Sequence, residues 1–116
     1  MVVDINTESE QHVAVKALEA LDLAKKTGKV KKGINEVTKI VERGLAKLVV
    51  IAKDVSPKEI LMHLPLLCEE KGVPLVIISS KEDLGATVGL SVGTSAAVVV
   101  TEGEAKSVIK QLQTKA

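Results

Sequence analysis

The run Lys31-Lys32-Gly33-Ile34-Asn35-Glu36-Val37-Thr38-Lys39 gathers several hydrogen-bonding groups within nine residues of a 116-residue chain. Asn35 reads as a helix N-cap, next to backbone N–H groups that lack intrahelical partners and point outward. Glu36 and Lys39 are three apart, so they share a face of the first turn. Gly33 lets a partner come close to the backbone. The cluster therefore offers a carboxylate acceptor, an amide that donates and accepts, an ammonium donor and free amide N–H groups. A carboxylate can accept from the N–H groups of guanine, and an ammonium can donate to its O6 or N7. Neighbouring lysines can neutralise phosphate. The same residues would equally serve a plain capped helix with surface charge, and on spacing alone both readings stand.

Other chemistries find less support. Cys68 and His63 are the only pair suggesting a nucleophile and its base. Five residues on a helix rotate the second side chain by about 140°, away from the first. Within Leu66-Leu67-Cys68, a cysteine reads as a small buried hydrophobe. A Cys68-dependent enzyme is thus a third candidate behind two binding readings. The chain has neither GxxxxGK[ST] nor a GxGxxG after a strand, and Gly85, Gly89 and Gly93 match neither phosphate cradle. Those glycines suit a tight loop. One cysteine excludes an internal disulfide, and with two histidines it excludes the common zinc sites. Glu69-Glu70 and Glu82-Asp83 read as exposed helix pairs rather than metal ligands. No cofactor and no catalytic activity are expected.

Composition narrows the frame. The chain is 46% hydrophobic and 27% charged, which fits one folded domain over residues 1–116 and argues against disorder. No apolar run reaches the roughly 18 residues of a membrane span. The acidic, polar start does not read as a targeting segment, so a soluble cytoplasmic protein with no membrane partner is expected. Phe, Tyr and Trp are absent, which removes base stacking on aromatic rings and leaves an aliphatic core. Net charge is +1, unevenly spread. Between Lys25 and Arg43 lie seven basic and two acidic residues, while the rest carries nine basic and thirteen acidic. One basic edge on a near-neutral body suits a compact site with few phosphate contacts, or simply a solvated lysine-rich turn.

The elements that would position the cluster follow from periodicity. Residues 9–26 read as an amphipathic helix with Ala14, Ala17, Leu18, Leu21 and Ala24 on one face, Ser9 or Thr7 as its cap and Gly28 after its end. A short basic strand leads to Gly33. The next helix has Val37, Ile40 and Val41 as its apolar stripe and ends at Gly44. Residues 46–52 and 74–79 read as strands buried on both faces. Ser56-Pro57-Lys58-Glu59 is a capping box with Pro at the first helical position, and Pro65 should start a separate helix ending at Gly72. Ser80-Lys81-Glu82-Asp83 looks like another helix start. A glycine-punctuated stretch around Leu90-Ser91-Val92, a strand over Ala96–Thr101 and a helix over residues 104–113 complete the chain. This alternation predicts an α/β fold, a three-layer α/β/α sandwich with a central mixed sheet.

Gly33-Ile34-Asn35-Glu36-Val37-Thr38-Lys39 followed by Val41-Glu42-Arg43-Gly44 resembles the signature of the kink-turn RNA-binding family. That family includes the archaeal large-subunit ribosomal protein L-seven-Ae and a eukaryotic small nucleolar ribonucleoprotein relative. His63-Leu64-Pro65-Leu66-Leu67-Cys68-Glu69-Glu70-Lys71 and Ser80-Lys81 through Leu84-Gly85 extend the resemblance across residues 13–109. It implies binding to a bent RNA with tandem sheared G·A pairs and a bulged nucleotide. By the match, Asn35, Glu36 and Lys39 would read guanine edges beside Gly33, and Lys32 would touch the RNA backbone. Ile60 and the loop Leu90-Ser91-Val92 would pack on the protruding base and its neighbours. The Leu-x-Val loop is closer to archaeal members. The resemblance implies as partners ribosomal RNA, box C/D and H/ACA guide RNAs with their core proteins, and ribonuclease P. Ile34, Lys53, Leu75 and Gly93 depart from the family pattern. The alternative is a protein-interaction or small-ligand-binding α/β/α module that uses the Gly85–Gly93 loop without RNA specificity.

Overall fold

A computed structural model describes residues 11–54, 63–78 and 80–115. In chain order the elements are α1 (Gln11–Thr27), β1 (Lys29–Lys32), α2 (Ile34–Glu42), β2 (Leu48–Ala52), α3 (His63–Lys71), β3 (Leu75–Ile78), α4 (Lys81–Thr87) and β4 (Ala96–Thr101). A 3-10 turn at Gly103–Ala105 then leads into α5 (Lys106–Lys115). The predicted caps at Ser9 or Thr7 and the Ser56–Glu59 capping box lie outside the described residues.

The four strands form one mixed sheet in the order β1-β4-β2-β3. β2 and β3 run parallel, whereas β4 is antiparallel to both β2 and β1. Every residue of β2 and β3 is buried. Burial of consecutive residues requires cover on both faces, because successive side chains point to opposite sides. The helices supply that cover in two groups. α1 packs on α4 and α5 and touches β1, β3 and β4, while α2 packs on α3 and touches β1 and β4. The result is the three-layer α/β/α arrangement with a mixed sheet that the alternation predicts.

Among the described residues the core is aliphatic apart from Cys68. Ala17, Ala20, Leu21 and Ala24 of α1 are fully buried, and their i, i+3, i+4, i+7 spacing forms one stripe. Three of the four are alanines, which let the helix lie close to the sheet. Ala14 and Leu18, placed on this face by periodicity, are only half-buried at its margin. Each large aliphatic side chain buried in this cluster contributes about 1.5–3 kcal/mol. No polar or charged residue is buried among the described residues. β1 is an edge strand, and its Lys29-Val30-Lys31-Lys32 sequence discourages pairing with another chain.

Boundaries around Pro65 and Gly85 differ from the sequence expectation. Pro65 lies two residues inside α3 rather than at its start. Gly85 belongs to α4, not to the loop that follows. No helix among the described residues is long and apolar enough to cross a membrane.

Candidate nucleic-acid interface

The strand ends bring separated segments to one end of the sheet. Lys32 pairs with Ala97, Ile51 with Ala96, and Ala52 with Ile78. The ends of β1, β2 and β3 therefore lie beside the beginning of β4. Backbone bonds extend this frame beyond the strands. Gly33 N–H donates to the Ala96 carbonyl at 2.9 Å, Ala52 N–H to Ser95 at 3.0 Å, and Lys53 N–H to Ile78 at 2.8 Å. The start of α2, the loop before β4 and the exit from β2 are thereby tied together.

α2 begins at Gly33, not at Asn35. Gly33 is the N-cap, with φ 93° and ψ 143°, a region that side chains rarely enter. This turn takes the chain from the end of β1 into the helix. The Gly33 carbonyl accepts from Val37 N–H at 3.0 Å, closing the first helical turn. Asn35 is thus the second helical residue, and no side chain caps this helix. The amides of Ile34, Asn35 and Glu36 precede that first bond and have no partner among the described residues. Among the described residues the helix start is open, and its cap is Gly33 rather than Asn35.

The two faces of α2 divide cleanly. Val37, Ile40 and Val41 are buried. Asn35, Glu36 and Lys39 are exposed, as is Lys32 at the end of β1. Spacings of three and four residues put Asn35, Glu36 and Lys39 on a common surface. Among the described residues, none of these three side chains has a hydrogen-bond or ion-pair partner within the protein. Ile34, a departure from the family pattern, is half-buried and packs against the core.

Thr38 and His63 form a contact that spacing did not reveal. The Thr38 hydroxyl donates to the Ile34 carbonyl at 2.7 Å and lies 2.8 Å from His63 Nε2. With its proton committed to Ile34, the hydroxyl oxygen accepts from Nε2–H. This bond ties α3 to the first turn of α2. Cys68 is 1% exposed, and burial pushes its thiol up to about 12, so it stays a protonated core group. His63 and Cys68 thus have separate structural environments. Among the described residues no group of three His, Cys, Asp or Glu side chains is placed to hold a metal.

The second part of the surface is the chain between α4 and β4. Leu90 N–H donates to the Gly85 carbonyl at 2.8 Å, and Thr94 N–H to the Lys81 carbonyl at 3.0 Å. The segment therefore runs back along α4 towards the sheet end that carries Gly33. Ser91 is exposed, and Val92 is 69% exposed, the most open of the large apolar side chains described. Leu90 is half-buried and packs on the core. The apolar surface offered to solvent is therefore mainly that of Val92. Ile60, the other residue assigned to this apolar contact, lies outside the described residues.

Known proteins share this arrangement. Residues 15–109 match the model of the ribosomal protein L7Ae/L30e/S12e/Gadd45 family. Among solved structures, the chain is similar to a Giardia lamblia 15.5kD RNA binding protein. The two are 35% identical with a TM-score of 0.88, over 98% of this chain and 96% of that one.

Proposed function

The chain belongs to the ribosomal protein L7Ae/L30e/S12e/Gadd45 family, and from that premise we propose that it binds RNA and recognises the kink-turn. The observation carrying this reading is the start of α2. Three polar side chains with no partner among the described residues stand beside amides equally unpaired there, at the sheet end towards which the Val92 segment runs. Glu36 accepts from guanine N–H groups, Lys39 donates to purine acceptors, and Asn35 serves in either sense. Lys32 neutralises backbone phosphate. Leu90, Ser91 and Val92 receive the protruding base, for which an apolar surface excludes water without an aromatic stack.

No bond is made or broken in this function. The protein holds the bent RNA because it binds that form better than the extended one, which shifts the RNA's own equilibrium. The RNAs proposed are ribosomal RNA, box C/D and H/ACA guide RNAs, and the RNA of ribonuclease P. The bent RNA and the bound protein together would present the surface on which core proteins of such particles assemble.

Calorimetric titration with a kink-turn RNA and with a duplex of equal length, each with and without Mg²⁺, tests the reading. The kink-turn is expected to bind at least about tenfold tighter, equivalent to about 1.4 kcal/mol. Equal affinity would leave only non-specific lysine contacts. It would favour the interaction-module alternative.

A further inference from the structure

Gly85 is out of place by local propensity. It sits inside the seven-residue helix α4, on its buried face, where glycine is less favourable than alanine because it loses more backbone freedom. Its φ is not in the left-handed region, so backbone conformation does not require a glycine there. Space does. A β-carbon at Gly85 would overlap the Val92 carbonyl oxygen and lie 3.0 Å from the Cα of Gly93. The same glycine's carbonyl accepts the Leu90 N–H at 2.8 Å.

We propose that Gly85 is a positioning residue, which seats the Leu90–Val92 segment against α4 and so sets where Val92 meets the RNA. The proposal rests on the RNA-binding reading above and deepens it. Gly93 completes the seat from the other side. A β-carbon there would come within 2.9 Å of Lys81 Cγ and 3.2 Å of the Lys81 carbonyl. Together with the Thr94 N–H bond to Lys81, these contacts press the segment flat on α4 at both ends. A methyl group at Gly85 forces the Val92 carbonyl outward and carries the Val92 side chain with it. The side chains of Asn35, Glu36 and Lys39 are on another helix and stay where they are.

The test compares two RNAs on the full chain: a kink-turn with its protruding nucleotide intact, and the same RNA made abasic at that nucleotide. Gly85→Ala is expected to bind the intact RNA at least tenfold more weakly than the wild type. On the abasic RNA it should stay within twofold. Equal losses on both RNAs, or none on either, would overturn the proposal while leaving kink-turn binding intact. A wild type that prefers neither RNA to a plain duplex would overturn the underlying reading and the proposal with it. If thermal unfolding shows that Gly85→Ala does not fold, Gly93→Ala decides the matter on the same two RNAs. It should show a smaller loss, about threefold, again confined to the intact RNA.

Discussion

α4 and α2 both begin at the same end of the sheet, but α4 begins closed and α2 begins open. At α4, the Ser80 hydroxyl accepts from Asp83 N–H at 3.2 Å, and the Asp54 carboxylate accepts from Lys81 N–H at 2.8 Å. Two amides of the first turn are thus satisfied within the protein, one by a group whose negative charge also suits the helix dipole. At α2 the cap is a glycine without a side chain, and Asn35, Glu36 and Lys39 have no side-chain partner among the described residues. A closed start serves the fold, because it fastens the exit of β2 to α4. An open start leaves hydrogen-bonding groups unmatched among the described residues. Of these two helix starts at one end of the sheet, the proposed recognition uses the open one.

The contrast can be broken most directly at the open start. Glu36→Ala and Lys39→Ala are each expected to cost about 1–3 kcal/mol of kink-turn binding, measured by titration. Their unfolding midpoints should stay near that of the wild type, since both side chains are exposed and have no partner among the described residues. If neither weakens binding, the open start is not the recognition surface.

A paired experiment on the two caps sharpens the difference. Gly33→Ala meets no neighbouring atom, so its cost is the backbone strain at φ 93°, about 1–3 kcal/mol of stability. Ser80→Ala should cost about 1 kcal/mol through the lost cap. In the folded fraction, Gly33→Ala should also weaken RNA binding, because it redirects the start of α2. Ser80→Ala should not. Denaturant unfolding and titration, run side by side, separate the two effects.

The smallest effects are expected at the end of α1. The Lys26 ammonium is 3.2 Å from the Asp22 carboxylate, and the Lys25 side chain passes beside Gly89. Lys25→Ala and Lys26→Ala should weaken binding less than either α2 change, and chiefly at low salt. Each should reduce the slope of log affinity against log salt by at most about 1. A larger loss that persists at high salt would extend the specific interface to α1.

Much of the fold was legible because its signals are local. The aliphatic runs of β2 and β3 announce strands buried on both faces, and Ser80-Lys81-Glu82-Asp83 announces a capped helix that the structure contains. The stripe Val37, Ile40 and Val41 implies its opposite, the exposed row of Asn35, Glu36 and Lys39. The cap of α2 was misplaced by two residues because asparagine favours that position by propensity. The strand pairing of β1 with β4 fixes the turn earlier, at Gly33. Gly85 reads as part of a tight loop because two more glycines, Gly89 and Gly93, follow it at intervals of four. Its actual reason, a carbonyl pressed against the helix, involves a residue seven positions away.

By itself the sequence determined which side chains are polar, which faces of α1 and α2 turn inward, and that the two layers of helices enclose a sheet without aromatic residues. Those properties depend on residue type and on periods of two and 3.6, which any short window displays. Only the tertiary structure decided that the start of α2 shares a sheet end with the exit of β2 and the entry to β4. It also decided that His63 bonds Thr38, a residue of another helix. Such neighbours are set by strand order and register, through contacts between residues far apart in the chain, and no local pattern records them.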